Sequence, residues 1–179
     1  MSTIEKAELA VPIHTEDHVL GPRDARVAIV EYGDFECPSC AQAANGLQII
    51  LQRFEPHVCL VFRHYPLTQI HPHAMLAAEA AEAAAAQGRF WAMHDLLFRH
   101  ELHLGRERLL YCARAAGLDM PRFEREVDAG VHRARIECDI ESGRASHIKS
   151  TPAIFLNGAR CDVSFGLQRL EEAVGRLLS

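Results

Sequence analysis

The feature that most constrains this chain is the passage from an apolar run into a dithiol. Val27-Ala28-Ile29-Val30-Glu31-Tyr32 is apolar at odd and even positions alike, interrupted by one carboxylate. That pattern predicts a strand covered on both faces, not an edge strand with one wet side. Gly33-Asp34-Phe35-Glu36 then turns the chain into Cys37-Pro38-Ser39-Cys40, and Ala41, Ala44, Leu47, Leu51 and Phe54 follow at helical spacing. Pro38 suits the first helical position, where its missing N–H would have had no partner, and Pro56 stops the helix. The stretch reads as strand, turn and helix, with two thiols at the helix start.

Placement sets the chemistry. Unpaired N–H groups and aligned peptide dipoles at a helix N-terminus stabilise an anion, so Cys37 is the easier thiol to ionise, at roughly pKa 5 to 7 for such motifs. Cys40 lies one turn further in, on the same face. The pair suits a disulfide that opens and closes, with Cys37 as nucleophile and Cys40 resolving the mixed disulfide. Zinc is the rival reading, but a structural zinc site needs two more ligands. None of Cys59, Cys112, Cys138 and Cys161 forms a second Cys-x-x-Cys pair or has a histidine at ligand spacing.

A chain of 179 residues is long enough for one domain with a full core or a small domain carrying an insertion. A net charge of -5 and a pI near 6.1 give no electrostatic case for nucleic acid or an anionic membrane surface. No apolar run approaches the roughly 20 residues that span a bilayer, so no membrane partner is expected. Met1 to Glu8 carries acidic residues and no apolar segment, which reads as no secretory signal, and the expected location is cytoplasmic. In a reducing compartment Cys59, Cys112, Cys138 and Cys161 are expected to be buried thiols acting as small apolar groups, Cys161 least clearly.

Residues 1–25 read as an arm with a short strand at Leu9 to Ile13 and a turn at Gly21-Pro22. Val58 to His64 is a second strand covered on both faces, completing a parallel βαβ unit with a right-handed crossover. Helices are expected from Pro72 to Gly88, Arg89 to His100, Leu109 to Ala116, and Asp119 as a cap through Val127 to Gly130. A further helix runs from Val131 to about Ser146, with Val131, Ala134 and Cys138 on one face. Ala153 to Leu156 returns to strand, Asn157-Gly158 is a hairpin turn, and a brief partner strand lies near Arg160 to Val163. Leu167, Leu170, Val174 and Leu177 mark a C-terminal helix.

Glu31-Tyr32-Gly33-Asp34-Phe35-Glu36-Cys37-Pro38-Ser39-Cys40, with Ser150-Thr151-Pro152-Ala153-Ile154-Phe155-Leu156-Asn157-Gly158, resembles the DsbA-like thiol-disulfide oxidoreductases of the thioredoxin superfamily. Phe62-Arg63-His64-Tyr65-Pro66-Leu67, His71-Pro72 and Gly88 to His94 fit the same group. The resemblance runs from about Asp17 to the C-terminus and implies an α/β thioredoxin fold, a central sheet with flanking helices and an inserted helical domain. It implies a thioredoxin-like domain over 26–66 and 131–179, with 67–130 as the helical insert. Thr151-Pro152 matches the family's cis-proline loop, which lies against the dithiol and presents backbone to a substrate. Glu31 matches a buried acid that moves protons for the inner cysteine; from the residues alone it is a carboxylate in an apolar strand, costly unless protonated or partnered. The family's periplasmic oxidants commonly carry histidine between the cysteines, where this chain has Pro38-Ser39.

The sequence therefore reads as an enzyme exchanging thiols and disulfides with protein or small-thiol substrates. No nucleotide or flavin motif is present, so no cofactor is expected and electrons come from an external donor or acceptor. Arg63, His64, His71, His73 and His94 read as structural or solvent-facing; His71 and His73, either side of Pro72, lack further ligands for a metal. Two other readings remain open: a non-catalytic peptide-binding or chaperone module on the same fold, and a zinc-stabilised module.

Overall fold

A computed structural model describes residues 8–99, 103–164 and 166–179. The apolar runs and helical periods become, in chain order, β1 (His18–Leu20), β2 (Val27–Gly33), α1 (Pro38–Phe54), β3 (Val58–His64), α2 (Ala74–Ala85), α3 (Phe90–Phe98), α4 (Arg106–Ala115), α5 (Met120–Asp128), α6 (Arg133–Ala145), β4 (Ala153–Leu156), β5 (Ala159–Cys161) and α7 (Gln168–Leu178). The sheet runs β1-β3-β2-β4-β5. β2 and β3 are parallel, from Val27 opposite Val58 to Gly33 opposite His64, and the other pairs are antiparallel. This is the α/β thioredoxin architecture that the resemblance implied.

Alternation along the strands sorts the side chains between two faces. Val27, Ile29, Val58 and Leu60 face α1 and α7, packing on Leu47, Ile50, Leu170 and Val174. Val30, Tyr32, Val61 and Phe155 form a separate core on the opposite face. Phe62, Phe35 and both site cysteines join the third cluster, built on the alanine-rich face of α2 with α3, α4 and α5. Glu31 keeps step with Val27 and Ile29, so its carboxyl points to the α1 side.

Three expectations change. No strand forms over Leu9 to Ile13: the arm pairs through β1, and Glu8 makes an isolated bridge to Ala159. The cause is Arg63, fully buried, whose guanidinium donates to the carbonyls of Val11 and Pro12 and so takes two acceptors a ladder would need. The helix begins at Arg133, so Val131 precedes it, and on α6 the expected face is the wet one: Ala134 and Cys138 are exposed, and Ile136, Asp139, Ser142 and Gly143 are buried. Polar residues disguised that face, because Asp139 accepts from the His64 backbone N–H at 2.9 Å and Ser142 meets the Tyr32 hydroxyl at 2.8 Å. Gly143 is needed there, since a Cβ would sit 2.6 Å from the Tyr65 ring. Cys138 is therefore an exposed thiol; Cys59 and Cys112 are buried, and Cys161 is half-buried. The last strand closes at Cys161, not Val163.

Arg63 also pairs bidentately with Asp17, Nε to Oδ1 and Nη2 to Oδ2 at 2.8 Å each, and donates to the Tyr32 hydroxyl at 2.9 Å. Burial would raise the Asp17 pKa, but the bonds from Arg63 and the His14 backbone N–H carry it below its ordinary value. Asp17→Ala leaves a buried guanidinium uncompensated and should cost about 3 to 5 kcal/mol in urea unfolding. Because the folded pKa is depressed, wild type keeps this contribution above about pH 4 and loses it as pH falls through the folded value. Asp17→Ala should lack that acid-side loss.

Candidate active site

The turn before α1 is tied down by carboxylates. Asp34 accepts from the Glu36 backbone N–H through Oδ1 and from the Leu67 N–H through Oδ2, which also lies 2.7 Å from His71 Nδ1. Glu36 Oε2 accepts from the His73 N–H at 2.6 Å. Both acids are buried, so the loop carrying the thiols is fastened to the segment that leads into α2. Cys37 is the N-cap of α1, extended at φ -81°, ψ 119°, with Pro38 in the first turn. Its carbonyl accepts from the N–H groups of Cys40 and Ala41 at 3.1 Å, which starts the helix. Cys37 is 8% exposed and Cys40 fully buried, both as free thiols.

The two sulfurs are opposites. Cys37 is lowered to about 5, chiefly by a hydrogen bond from the Cys40 thiol, against desolvation and with help from Thr151 and the backbone N–H groups of Cys40 and Ser39. Burial pushes Cys40 far above the usual thiol range, and its bond to Cys37 and the nearby Glu31 carboxyl add to the rise. Glu31 is itself raised to about 8, by burial first and by the Cys37 thiolate second. Neither of its oxygens has a hydrogen-bond partner.

The Thr151–Pro152 bond is cis, as is Glu55–Pro56, which the sequence reading did not single out. The Thr151 carbonyl accepts the Cys37 S–H at 3.5 Å. The buried Thr151 hydroxyl makes no well-formed hydrogen bond of its own, and Thr151 is among the groups that lower Cys37. An open groove of about 430 Å³ runs from Ser39 and Gln42 past Gly46 and Leu167 to Thr151 and Pro152. Thus Glu31, Cys37, Cys40, Thr151 and Pro152 converge, and Ser39 lies on the groove wall. Pro38 shapes the helix start.

Other residues stand apart from the thiols. Arg63 belongs to the arm network on the other face, and His64 and His94 are buried among aromatic rings. Sequence reasoning missed Asp34 and Glu36 as loop anchors, and a group formed by His18, His64 and Glu82. Among the described residues neither Cys37 nor Cys40 belongs to a cluster of three metal-ligating side chains.

A family model described as Thioredoxin matches residues 14–176. The chain belongs to the thioredoxin family. Among solved structures it is similar to a thioredoxin-like oxidoreductase from Silicibacter pomeroyi DSS-3, at 27% identity and a TM-score of 0.80 over 96% of each chain. It shares its fold with BdbD from Bacillus subtilis, at 23% identity and a TM-score of 0.79 over 97% of this chain and 94% of that one. Alpha-DsbA1 of Wolbachia pipientis has the same fold, at 19% identity and a TM-score of 0.79 over 96% and 95%. With these DsbA-like proteins the chain has its fold in common. Curated relatives carry another name: a Na(+)/H(+) antiporter NhaA 1 of Salinispora arenicola is 44% identical over 168 residues, 93% of this chain and 26% of that protein. One from Mycolicibacterium gilvum is 40% identical over 156 residues, 86% and 25% respectively. The chain spans about a quarter of the length of these relatives. Among the described residues no helix is long and apolar enough to cross a membrane.

Two measurements check the electrostatics. Alkylation of the reduced protein should label Cys37 with a midpoint near pH 5 and leave Cys40 unlabelled; faster labelling of Cys40 reverses the order. For Glu31 the folded pKa is raised, so the native state keeps a proton that the unfolded chain has lost between pH 4.5 and about 8. Wild type forfeits stability across that window, up to about 5 kcal/mol at ~1.4 kcal/mol per pH unit. Cys37, with a depressed folded pKa, works in the opposite direction. The clean comparison is with Glu31→Gln, whose stability relative to wild type should be unchanged below pH 4 and higher at pH 9.

Proposed function

We propose that this protein exchanges thiols and disulfides with protein or small-thiol substrates through Cys37 and Cys40. The observation that carries this reading is the asymmetry of the pair: a sulfur lowered to about 5 at the helix start, and beneath it a buried thiol held protonated. The first is a nucleophile at neutral pH, and the second is a proton-bearing reserve.

The steps follow from those states. The Cys37 thiolate attacks one sulfur of a substrate disulfide, forming a mixed disulfide and expelling the other substrate sulfur as a thiolate, which takes a proton from water. Loss of the Cys37 charge removes one of the two causes that raise Glu31. The Glu31 carboxyl then gives up its proton to water more readily, and as a carboxylate it accepts the Cys40 proton. Cys40 attacks Cys37 Sγ, the second substrate thiolate leaves, and an intramolecular disulfide remains. Two electrons pass from the dithiol to the substrate, and the reverse sequence oxidises a substrate dithiol. The groove beside Ser39 and Thr151-Pro152 is the place for the substrate chain. The surroundings set the direction: a reducing partner keeps the dithiol supplied, and an oxidising one regenerates the disulfide. The antiporter activity named for the curated relatives is not carried over, because the match covers about a quarter of their length.

Cys40→Ala removes the resolving attack, so it should accumulate mixed disulfides through Cys37, visible on non-reducing gels after incubation with a disulfide-containing protein. Adducts no more abundant than those of Cys37→Ala would favour a non-catalytic peptide-binding module. Redox poise gives a second test. Ser39 supplies no imidazole to bear positive charge beside the sulfur, so the reduced form is less stabilised than in the strongest oxidants. The potential should lie in the range of about -180 to -270 mV, below the roughly -120 mV of the strong oxidant. Ser39→His should raise the potential and lower the Cys37 pKa together, measured against a glutathione buffer; a wild-type value at the strong oxidant's level, or no shift, sinks the argument.

A further inference from the structure

Outside the dithiol, the sheet register assembles a second group of chemistry-bearing side chains. β1 pairs with β3 so that His18 stands opposite Phe62. His64 lies two residues after Phe62, so both imidazoles project from the same face, with ring centroids 6.2 Å apart. α2 packs over that face and places Glu82 between them. Its Oε1 is 2.6 Å from His18 Nε2 and 2.8 Å from His64 Nε2, and the three atoms lie within 4.8 Å of one another.

Both rings are held in place before any ligand arrives. His18 stacks on Phe90 at 3.6 Å and 8°. His64 stands edge-on to Phe62 and Phe90, and is tilted against Phe35. His64 and Glu82 are buried, and the His18 side chain, at 15%, is the most exposed of the three. Two imidazole nitrogens and one carboxylate oxygen, converging in a dry and preorganised pocket, are a donor set suited to late first-row divalent cations.

We infer that His18 Nε2, His64 Nε2 and Glu82 form a three-ligand site for a divalent transition-metal cation of the zinc type, with the fourth position open toward the exposed edge of His18. The cation replaces two hydrogen bonds to one oxygen by three bonds to the metal. It clamps the edge strand β1 and helix α2 onto β3, one aromatic layer from the turn that carries the thiols. The site does not depend on thiol exchange at Cys37 and Cys40.

The test removes the dithiol as a competing ligand. Full-length protein carrying Cys37→Ser and Cys40→Ser is treated with chelator, then titrated with Co²⁺ by visible absorption and with Zn²⁺ by calorimetry. The expected result is one ion per chain, cobalt bands without sulfur-to-metal charge transfer, and a Tm that rises on adding Zn²⁺. His18→Ala in the same background, a change at a partly exposed edge strand, should keep its circular dichroism and lose both the stoichiometric binding and the Tm rise; Glu82→Gln should do the same. Absence of binding in the parent, binding unchanged by His18→Ala, or a sulfur charge-transfer band would overturn the assignment and leave the three residues as a hydrogen-bonded structural cluster. If Glu82→Gln fails to fold, His18→Ala alone decides.

Discussion

A carboxyl group sealed in a dry strand with neither oxygen hydrogen-bonded is costly, and the rest of the fold is what makes it possible. Glu31 sits between Phe62 on β3 and Ile154 on β4, so β2 must be central and both neighbours must be paired. Its side chain points to the α1 face, so α1 must begin above it, and the turn from Gly33 to Glu36 must return the chain over its own strand. Gly33 answers that demand, because a Cβ there would meet the Phe62 ring at 2.5 Å. Keeping the acid protonated lowers the cost from that of a buried charge to that of an unpaired neutral group. The sheet order and the helix start are thus conditions on one side chain.

The other buried polar groups serve a different end, since almost every one joins two layers. Asp34 and Glu36 fasten the turn to the segment ahead of α2; Asp139 and Ser142 fasten α6 to β3 and β2; Glu82 fastens α2 to β1 and β3. Arg63 draws the arm across the sheet through Asp17, Val11 and Pro12. Apolar packing alone tolerates sliding between layers, whereas a buried donor left without its acceptor costs about 1 to 3 kcal/mol. These bonds therefore fix the register between the helical block and the sheet, and with it the height at which the dithiol stands above Glu31.

What was legible in the sequence was whatever apolar periodicity reports. β2, α1, β3, the hairpin at Asn157-Gly158 and the convergence of Glu31, Cys37, Cys40 and Thr151-Pro152 all follow from local pattern and a family resemblance. The errors share one cause: polar residues that are buried because a partner distant in sequence satisfies them. Asp139 and Ser142 made the inner face of α6 look wet, and Ala134 and Cys138 made the outer face look dry. Arg63 displaced a strand in the arm by taking its carbonyls. The His18, His64 and Glu82 group was invisible for the same reason, since its members come from an edge strand, a central strand and a helix. Spacing along the chain holds no trace of such a meeting.

One hydrogen bond links the acidity of Cys37 to the reluctance of Cys40, although burial is the larger cause of the second, and on the proposed exchange that link bears on direction. The donor that most lowers Cys37 is the Cys40 thiol, a bond that exists only while Cys40 keeps its proton. None of the groups that lower Cys37 is an ionisable cation, so no imidazole titration enters its acidity. When a thiol attacks the disulfide at Cys37, Cys40 must leave as a group whose pKa lies far above the ordinary thiol range. High-pKa sulfurs leave slowly. A proton delivered to Cys40 Sγ as the bond breaks removes that obstacle, and on the proposed exchange Glu31, raised by burial, is the group placed to deliver it. With Cys37 in the disulfide the thiolate that helps raise Glu31 is absent, so burial alone must keep the carboxyl protonated until the attack begins. On the proposed exchange, the missing hydrogen bonds to Glu31 are therefore functional: any partner that stabilised its anion would take away the proton that Cys40 needs.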